Sequence, residues 1–315
     1  MIVVTGGAGF IGSNLVHALN GRGEHEIVVA DDLSDGKKCF NLAGASIADY
    51  VDKDDLIAAL TSVQAPPRVI FHLGACADTA EWDGRYMMRE NHTYSKALLA
   101  YAQQCQVPLI YASSASVYGG SQEFIEHPRN EKPLNVYGFS KLTFDNYVRS
   151  KSSAGQVVGL RFFNVYGPRE FHKGAMASVA LHLYSQLQQG SQVCLFEGSD
   201  GYGPGEQRRD FIYVGDVCDV LLWCWDAGIK GIFNVGTGRA QTFNEVAQAV
   251  LDWHGRGSIA YIKFPEHLRG HYQSFTRADL SALRGAGYEG AFLPVQEGVR
   301  RYLDWLQQNI DASAL

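Results

Sequence analysis

The chain opens with Ile2-Val3-Val4-Thr5-Gly6-Gly7-Ala8-Gly9-Phe10-Ile11-Gly12, followed by an apolar run through Leu15 and Leu19. This order predicts a buried parallel strand, a glycine turn and the N-terminus of a helix. The glycines permit a tight turn and a close approach to a pyrophosphate, and the free N–H groups and dipole of the helix favour its negative charge. The stretch therefore predicts the first unit of a dinucleotide-binding fold.

A second apolar strand is predicted over residues 27–30, and it ends at Asp31-Asp32. Asp31 is placed to bind the hydroxyls of an adenosine ribose, which by itself favours NAD. Three lysines nearby either hold a 2′-phosphate or lie solvated in a loop: Lys37, Lys38 and Lys53. We expect NADP as the cofactor, with NAD as the alternative.

Strand and helix patterns alternate through the first half, which predicts an α/β fold with a Rossmann-type doubly wound parallel sheet. The turn Gly74-Ala75-Cys76-Ala77 follows a predicted strand, at the end where cofactors bind in such sheets. The segments Asp210–Val214 and Gly231–Gly236 are predicted to return to the main sheet. We expect two interleaved domains. The cofactor-binding domain takes residues 1–167 plus about 211–255, and a smaller, mostly C-terminal α/β substrate-binding domain takes residues 168–210 plus about 256–315.

Tyr137 and Lys141 are four residues apart and therefore share one face of a predicted helix. A free tyrosine loses its proton only near pH ~10, so it needs help to act as a base at neutral pH. We expect the Lys141 ammonium to stabilise the phenolate and to lower the pKa of Tyr137. With the hydroxyl of Ser114, which follows a predicted strand, these groups indicate a hydride-transfer site beside a nicotinamide.

Composition narrows the function classes. The net charge is -6 and no basic run is present, so a nucleic-acid or membrane-surface partner has no support. The first strand begins at Ile2, which leaves no room for a signal peptide, and no apolar stretch reaches ~18 residues. Six cysteines without CxxC spacing indicate reduced thiols in a cytosol. We expect no metal site, because His267 and His271 lie in a predicted loop and no acidic partner motif accompanies them.

The motifs together resemble the extended short-chain dehydrogenase/reductases that act on nucleotide sugars. More local stretches are similar to the ADP-L-glycero-D-manno-heptose 6-epimerases, and the similarity runs from Met1 to about Leu306. These stretches are residues 81–88 (EWDGRYMM), 131–137 (EKPLNVY), 168–174 (PREFHKG) and 272–276 (YQSFT).

The resemblance implies a substrate and a mechanism. The family interconverts the carbon-6 epimers of ADP-heptose, a precursor of the lipopolysaccharide inner core in the cytoplasm of Gram-negative bacteria. Carbon 6 carries an unactivated C–H, so we expect oxidation to a ketone by tightly held NADP, reorientation, and hydride return to the other face. Two bases are then needed, and the motif positions supply Tyr137 and Lys173. Ser114 would bond the reacting oxygen, and Lys141 would bind the nicotinamide ribose.

The resemblance also assigns binding residues. The implied cofactor contacts are Gly6, Gly9, Phe10, Ile11, Gly12, Asp31, Asp32, Lys38, Lys53, Leu73, Gly74, Ala75, Cys76, Ala77, Asn91, Lys141, Val165 and Lys173. The implied substrate contacts are Asn164, Ala175, His182, Phe196, Glu197, Gly198, Ser199, Arg209 and Tyr272. Ala175 stands where the family has a serine, and the loop over residues 200–207 is longer than expected. The family further implies a homo-oligomer, a pentamer.

Several alternatives stay open. Lys173 is alternatively a surface lysine, and His182 is alternatively a core histidine. Arg209 alternatively forms an ion pair with Asp210 or Asp216. A UDP-hexose 4-epimerase would use the same tyrosine, lysine and serine. A dehydratase is disfavoured because Ala115-Ser116 replaces the expected Asp-Glu pair. A non-catalytic NADP-binding sensor is disfavoured because Tyr137 and Lys141 are both present.

Overall fold

The computed structural model describes residues 1–151, 155–266 and 273–309. The strands in this part of the chain are β1 Ile2–Thr5, β2 Ile27–Asp31, β3 Asp49–Asp52, β4 Ile70–His72, β5 Leu109–Ser114, β6 Val157–Phe162, β7 Asn164–Tyr166, β8 Gln192–Phe196, β9 Arg208–Arg209, β10 Phe211–Tyr213, β11 Gly231–Val235, β12 Gln241–Thr242 and β13 Ser258–Ile262. The α-helices are α1 Phe10–Gly21, α2 Leu56–Ser62, α3 Gly84–Met88, α4 Tyr94–Cys105, α5 Val136–Ser150, α6 Val179–Gln189, α7 Val214–Ala227, α8 Phe243–His254, α9 Ser281–Gly285 and α10 Val295–Asn309.

The central sheet of the described residues has seven parallel strands in the order β11-β6-β5-β4-β1-β2-β3. β1 and β6 are buried along their whole length, as strands of a parallel sheet covered on both faces are. The order reverses at β1, so the predicted doubly wound Rossmann-type sheet is confirmed. Cofactors bind outside the carboxyl ends of the strands at such a switch point.

The two segments that were predicted to return to the main sheet lie in different sheets. The segment at Gly231–Gly236 supplies β11, which extends the main sheet beside β6. The segment at Asp210–Val214 supplies β10, which pairs with β7 in a separate two-stranded parallel sheet. The expectation that residues 210–214 return to the main sheet was therefore wrong, because β10 pairs with β7 in a sheet separate from the seven-stranded one.

Several apolar clusters support the fold, and two of them show how the helices are divided. One packs the sheet against α1 and α7, through residues such as Leu15, Val29, Val217 and Leu221. The other joins α6, α8 and α10, through Leu183, Val250 and Leu303 among others. α8 therefore packs with elements that the predicted division assigns to the substrate-binding part, and the domain boundaries stay a prediction.

Local sequence explains where the helices near the cleft begin. The Asn135 side chain accepts a hydrogen bond from the Gly138 N–H and caps α5, the helix that carries Tyr137. Thr242 and Glu245 form a reciprocal capping box at the start of α8. Within the described ranges, the helices are all too short or too polar to cross a membrane.

Candidate active site

A cleft of about 650 Å³ opens at the carboxyl ends of β1, β2, β4 and β5. Most of the predicted cofactor and catalytic residues line it. These are Gly6, Gly9, Phe10, Ile11, Gly12, Asp31, Lys38, Leu73, Gly74, Ala75, Ala77, Ser114, Tyr137, Lys141, Val165 and Lys173, together with the predicted substrate residue Asn164.

The glycine turn forms one wall of the cleft. Gly6 has φ +65°, and a Cβ at Gly12 would lie 2.0 Å from the Gly6 carbonyl oxygen, so a side chain at position 12 is excluded. The N-cap residue Gly9 has no side-chain cap, and the first N–H groups of a helix have no intrahelical acceptor. These N–H groups fit the pyrophosphate of a dinucleotide.

Asp31 ends β2 with its carboxylate already engaged. Its Oδ2 accepts the Ala8 N–H at 2.8 Å, and its Oδ1 accepts Lys38 Nζ at 2.7 Å. Lys38 Nζ also donates to the Asp32 carbonyl oxygen at 2.6 Å. The ion pair compensates the negative charge of Asp31, so this end of the cleft does not repel an anion as an unpaired aspartate would.

Asp32 and Lys53 lie outside the residues that line the cleft. Backbone and side-chain hydrogen bonds with Ser34 lower the pKa of Asp32. Lys53 Nζ lies 2.8 Å from an Asp54 oxygen and 3.1 Å from a Glu90 oxygen. Burial alone would lower the pKa of Lys53, but the hydrogen bonds with both carboxylates raise it. A 2′-phosphate would have to compete with these two partners for Lys53.

Asn91 hydrogen-bonds the backbone of the Gly74–Ala77 turn that follows β4. It lies in a π-helical turn, Arg89–Thr93, between α3 and α4, and is 1% exposed. Its Oδ1 accepts the Cys76 N–H at 2.8 Å, and its Nδ2 donates to the Cys76 carbonyl oxygen at 2.9 Å and to Ser140 Oγ at 3.0 Å. Asn91 therefore fixes the Gly74–Ala77 turn to α5 without lining the cleft itself.

Ser114 and Tyr137 meet across the cleft floor. Burial raises the pKa of Tyr137, and a side-chain hydrogen bond with Ser114 acts in the opposite direction. The ammonium of Lys141 is 5.9 Å from the centroid of the Tyr137 ring and donates to the Ala112 carbonyl oxygen at 3.1 Å. The pKa of Tyr137 is therefore raised in this structure and not lowered as expected, because burial of the phenol outweighs the hydrogen bond with Ser114.

Burial lowers the pKa of Lys141 to about 8, although Asp145, one helical turn further along α5, raises it. Lys141 is 7% exposed. Its proton is therefore held less firmly than that of an exposed lysine.

A fully buried ion network lies behind Lys141. Asp145 accepts hydrogen bonds from Tyr111 Oη and Ser113 Oγ, each at 3.0 Å, and from Arg161 Nε at 3.0 Å. Arg161 Nη2 lies 2.9 Å from the Asp145 carboxylate and 2.5 Å from Glu131 Oε1. The side chains of Asp145 and Arg161 are 0% exposed. The network ties α5 to β5 and β6, which fixes the relative positions of Ser114 and Tyr137.

Lys173 approaches the cleft from a 3₁₀ turn, Phe171–Met176, after β7. Its ammonium lies 4.9 Å from the centroid of the Phe10 ring and 3.7 Å from a Glu170 carboxylate oxygen. Burial lowers the pKa of Lys173, and Glu170 raises it. Glu170 is itself 0% exposed and accepts from Ser178 Oγ at 2.6 Å and from the Ser178 N–H at 2.8 Å. The alternative of a surface lysine does not fit this environment.

The predicted substrate residues divide into several groups. Asn164 is exposed in the cleft, whereas His182 is exposed on α6 outside the cleft lining. The alternative of a core histidine therefore does not hold for His182, and its substrate contact stays a prediction. Arg209 is 6% exposed in β9 and donates to the Arg208 carbonyl oxygen at 3.3 Å. Ala175 is exposed. Tyr272, His267 and His271 lie outside the described residues.

The segment from Phe196 to Ser199 lies outside the cleft lining, beside the loop of residues 200–207. Gln207 Nε2 donates to the Glu197 carbonyl oxygen and to Ser199 Oγ, each at 3.2 Å. The Gly205 N–H donates to the Phe196 carbonyl oxygen at 3.0 Å. The longer loop is thus held against this segment by several hydrogen bonds, and a substrate role for the segment stays a prediction.

Some cleft residues were missed by the sequence analysis, among them Asp78, Thr79, Ser116, His172, Met176 and Ser178. Each of them lies close to a predicted motif, which was the sequence signal that could have identified them. Asp78 and Thr79 follow the Gly74–Ala77 turn, and Ser116 follows Ser114. The other three lie within five residues of Lys173. All six cysteines are free thiols, with Cys39 exposed. Across the described ranges, no cluster of three or more His, Cys, Asp or Glu residues is arranged to hold a metal.

Comparison with known proteins agrees with this geometry. A sequence model of the NAD dependent epimerase/dehydratase family matches residues 2–236. An ADP-L-glycero-D-manno-heptose-6-epimerase of Alkalilimnicola ehrlichii is 59% identical over 309 residues, which cover 96% of this chain and 97% of that protein.

Solved structures give the same result. The ADP-L-glycero-D-manno-heptose-6-epimerase of Helicobacter pylori matches with a TM-score of 0.85 and 33% identity, over 97% of this chain and 96% of that one. The UDP-glucose 4-epimerase of Thermus thermophilus, in complex with NAD, matches with a TM-score of 0.80 and 28% identity, over 98% and 99%. The resemblance inferred from the motifs is confirmed. The chain belongs to the NAD dependent epimerase/dehydratase family and, within it, to the ADP-L-glycero-D-manno-heptose-6-epimerases.

Proposed function

We propose that this protein interconverts ADP-D-glycero-β-D-manno-heptose and ADP-L-glycero-β-D-manno-heptose at carbon 6, using tightly bound NADP that is recycled in place. One observation carries the proposal. Tyr137 and Lys173 come from distant segments, both are partly buried, and both line the same cleft as the glycine turn. An epimerase that oxidises and then reduces one carbon needs two such proton-transfer groups beside its nucleotide site.

The chemistry follows from the substrate. The C–H bond at carbon 6 is unactivated, so inversion goes through a transient ketone and leaves no net redox change. The bound cofactor supplies a reversible hydride acceptor. Tyr137 exchanges a proton with the carbon-6 oxygen in one orientation of the sugar, and Lys173 does so after the ketone has turned over.

The neighbours of Tyr137 suit this role. Ser114 hydrogen-bonds its hydroxyl and thereby directs it toward the reacting oxygen. Lys141 carries a pKa of about 8 and lies one helical turn away, so its positive charge is available to stabilise a phenolate when Tyr137 gives up its proton. Because burial raises the pKa of Tyr137, the phenol keeps its proton until the substrate oxygen accepts it, and the phenolate that forms takes a proton back in the reverse step.

Lys173 suits the second role for a related reason. Burial lowers its pKa, which brings a lysine closer to the range in which it can both give and take a proton. Glu170 stays close enough, at 3.7 Å, to hold the ammonium when it forms. Ser178 in turn orients the Glu170 carboxylate with two hydrogen bonds.

The preference for NADP over NAD rests on Lys38. Since Lys38 and Asp31 pair at 2.7 Å, a 2′-phosphate on the ribose meets a compensated carboxylate and a lysine that can turn toward it. Lys38→Met is expected to weaken NADP binding at least tenfold and NAD binding much less, by intrinsic fluorescence titration. Equal loss for the two nucleotides would argue against a 2′-phosphate at this site.

Further features of the proposal follow from the family. They are cytoplasmic action in lipopolysaccharide inner-core synthesis and assembly as a homo-oligomer, a pentamer, with residues 1–167 plus about 211–255 binding the cofactor.

The test is direct. Purified protein is incubated with ADP-D-glycero-β-D-manno-heptose without added cofactor, and the carbon-6 proton is followed by NMR. An equilibrium mixture of epimers is expected, whereas Tyr137→Phe should bind NADP and lose turnover. Absence of conversion, even with NADP and NAD added, refutes the heptose assignment, and UDP-hexoses are then the next substrates. Unchanged biological activity of Tyr137→Phe would indicate a nucleotide sensor instead.

A further inference from the structure

Two turns that lie far apart in the sequence are joined by one hydrogen bond at the edge of the cleft. The first is the 3₁₀ turn Gly36–Leu42, which carries Lys38, and the second is Phe171–Met176, which carries Lys173. The Asn41 side-chain nitrogen lies 3.0 Å from His172 Nδ1, across 131 residues of sequence.

The direction of this hydrogen bond is determined by a third group. Asn41 Nδ2 also donates to the Ala8 carbonyl oxygen at 2.9 Å, and a carbonyl oxygen can only accept. The amide nitrogen therefore faces both partners, so His172 Nδ1 must be the acceptor and the imidazole carries its proton on Nε2. Ala8 belongs to the glycine turn, and thus Asn41 links three segments of the cleft wall.

The surroundings of His172 favour the neutral ring that this bond requires. Burial lowers the pKa of His172, and the positive charges of Lys38 and Lys173 lower it further, while Asp31 and Asp35 act in the opposite direction. A protonated ring would place an N–H against the amide N–H of Asn41 and break the link. Asn41 is 7% exposed, so little water is present to replace the lost bond.

The loop before Lys173 is also held from the opposite side. Asn14, on α1, donates from Nδ2 to the Pro168 carbonyl oxygen at 2.9 Å and accepts from Arg169 Nη1 at 3.1 Å. Arg169 has φ +69°, a left-handed conformation that a non-glycine residue adopts only when its surroundings impose it. The lysine-bearing turn is thus fixed to the nucleotide-binding part at two places, Asn14 and Asn41.

We propose that Asn41 and His172 are positioning residues which couple the nucleotide-binding turn to the placement of Lys173. The inference rests on the proposed NADP-dependent function. A cofactor phosphate bound by Lys38 would fix the position of the Gly36–Leu42 turn. The Asn41–His172 hydrogen bond would then restrain His172 and, with it, the adjacent residue Lys173. Disrupting the bond loosens both ends: the nucleotide binds more weakly, and Lys173 is less well placed for proton transfer.

The experiment is a double-mutant cycle read out as the dissociation constant for NADP, by fluorescence titration of the full-length protein. The variants are Asn41→Ala, His172→Leu and the double variant, with His172→Gln as the conservative replacement, because a glutamine oxygen can accept from Asn41. His25→Gln, in an exposed loop, is the matched control. Each single variant is expected to weaken NADP binding about 2- to 10-fold, the size of one net hydrogen bond.

Non-additivity distinguishes coupling from two separate effects. The double variant should bind NADP no more weakly than Asn41→Ala alone, and His172→Gln should bind like wild type. Additive losses in the double variant, or wild-type binding by His172→Leu, would overturn the proposal. If His172→Leu does not fold, as judged by its melting temperature against His25→Gln, His172→Ala replaces it in the cycle.

A kinetic measurement tests the Lys173 end. At saturating NADP, kcat of His172→Leu should stay below wild type while KM for the sugar nucleotide is little changed. Full recovery of kcat would refute the coupling to Lys173. These results are separate from the proposed function: wild-type protein that fails to bind NADP would refute the function, whereas wild-type binding with unaffected variants refutes only the inference.

Discussion

Replacement of Asp145 by asparagine is expected to destabilise the fold by about 3 kcal/mol, because it leaves the buried guanidinium of Arg161 with less compensation. Asp145 and Arg161 are 0% exposed and lie 2.9 Å apart. Breaking a buried ion pair by removing one partner costs about 3–5 kcal/mol. Glu131 remains 2.5 Å from Arg161 in the variant, which supports the lower end of that range.

The assay is urea unfolding followed by the fluorescence of the five tryptophans, at pH 7 and ~0.15 M salt. The matched control is Glu297→Gln on α10. It also removes one carboxylate that contacts arginine, since Glu297 lies 2.8 Å from Arg300 and 2.9 Å from Arg301. That network is exposed and screened by water and salt, so its loss should change stability little.

High salt separates the two networks further. At ~1 M NaCl the effect of Glu297→Gln should vanish, since the Debye length falls to ~3 Å, whereas the effect of Asp145→Asn should persist in the buried network. The reasoning is refuted if Asp145→Asn costs no more than Glu297→Gln at ordinary salt, or if its cost disappears at high salt.

Three further predictions concern the glycine turn, the proposed catalytic residue Lys141 and the buried residue Asp216. Gly12→Ala should abolish cofactor binding in a fluorescence titration, because its Cβ would lie 2.0 Å from a backbone oxygen, while Gly21→Ala on the same helix meets nothing within 4 Å and should bind normally. The rate of epimerisation, followed by NMR, should decline as the pH rises through about 8, where Lys141 loses its proton. The negative charge of Asp145 raises the pKa of Lys141, so Asp145→Asn should move this decline to lower pH. Burial raises the pKa of Asp216 to about 6 in the folded protein, above the pKa near ~3.9 of the unfolded chain. The protonated side chain therefore contributes stability below pH ~3.9, and this contribution is lost as the pH rises through about 6. Asp216→Asn should raise the urea midpoint at pH 8 but not at pH 4.

The features that could be predicted from sequence are local. The Gly6 to Gly12 turn, the strand ending at Asp31 and the shared face of Tyr137 and Lys141 each depend on residues within one turn or one strand. Periodicity and glycine placement determine such elements directly, and together they were enough to define the sheet and the cleft.

The features that escaped prediction depend on distant partners. Lys53 has Glu90 as a partner, and His172 has Asn41, so neither environment can be derived from neighbours in the sequence. The direction of the Tyr137 pKa shift is set by how deeply the folded chain covers the ring. Spacing along a helix can place two groups side by side, but it does not determine how much water reaches them.

The π-helical turn at Arg89–Thr93 has a consequence for the phase of the helix that contains it. An α-helix rotates about 100° per residue, and a π-turn accommodates more residues in one turn. Deleting a single residue in this turn would restore ordinary α-helical winding and leave α3 and α4 near their present rotational phase, because the π-turn holds the extra residue within one turn. The side chains inside the turn, however, would point in a different direction relative to α4. Asn91 could not then face Cys76 while Tyr94 to Cys105 kept their packing against the sheet. The extra residue therefore sets the angular register between the helix that packs the core and the amide that holds the cofactor turn.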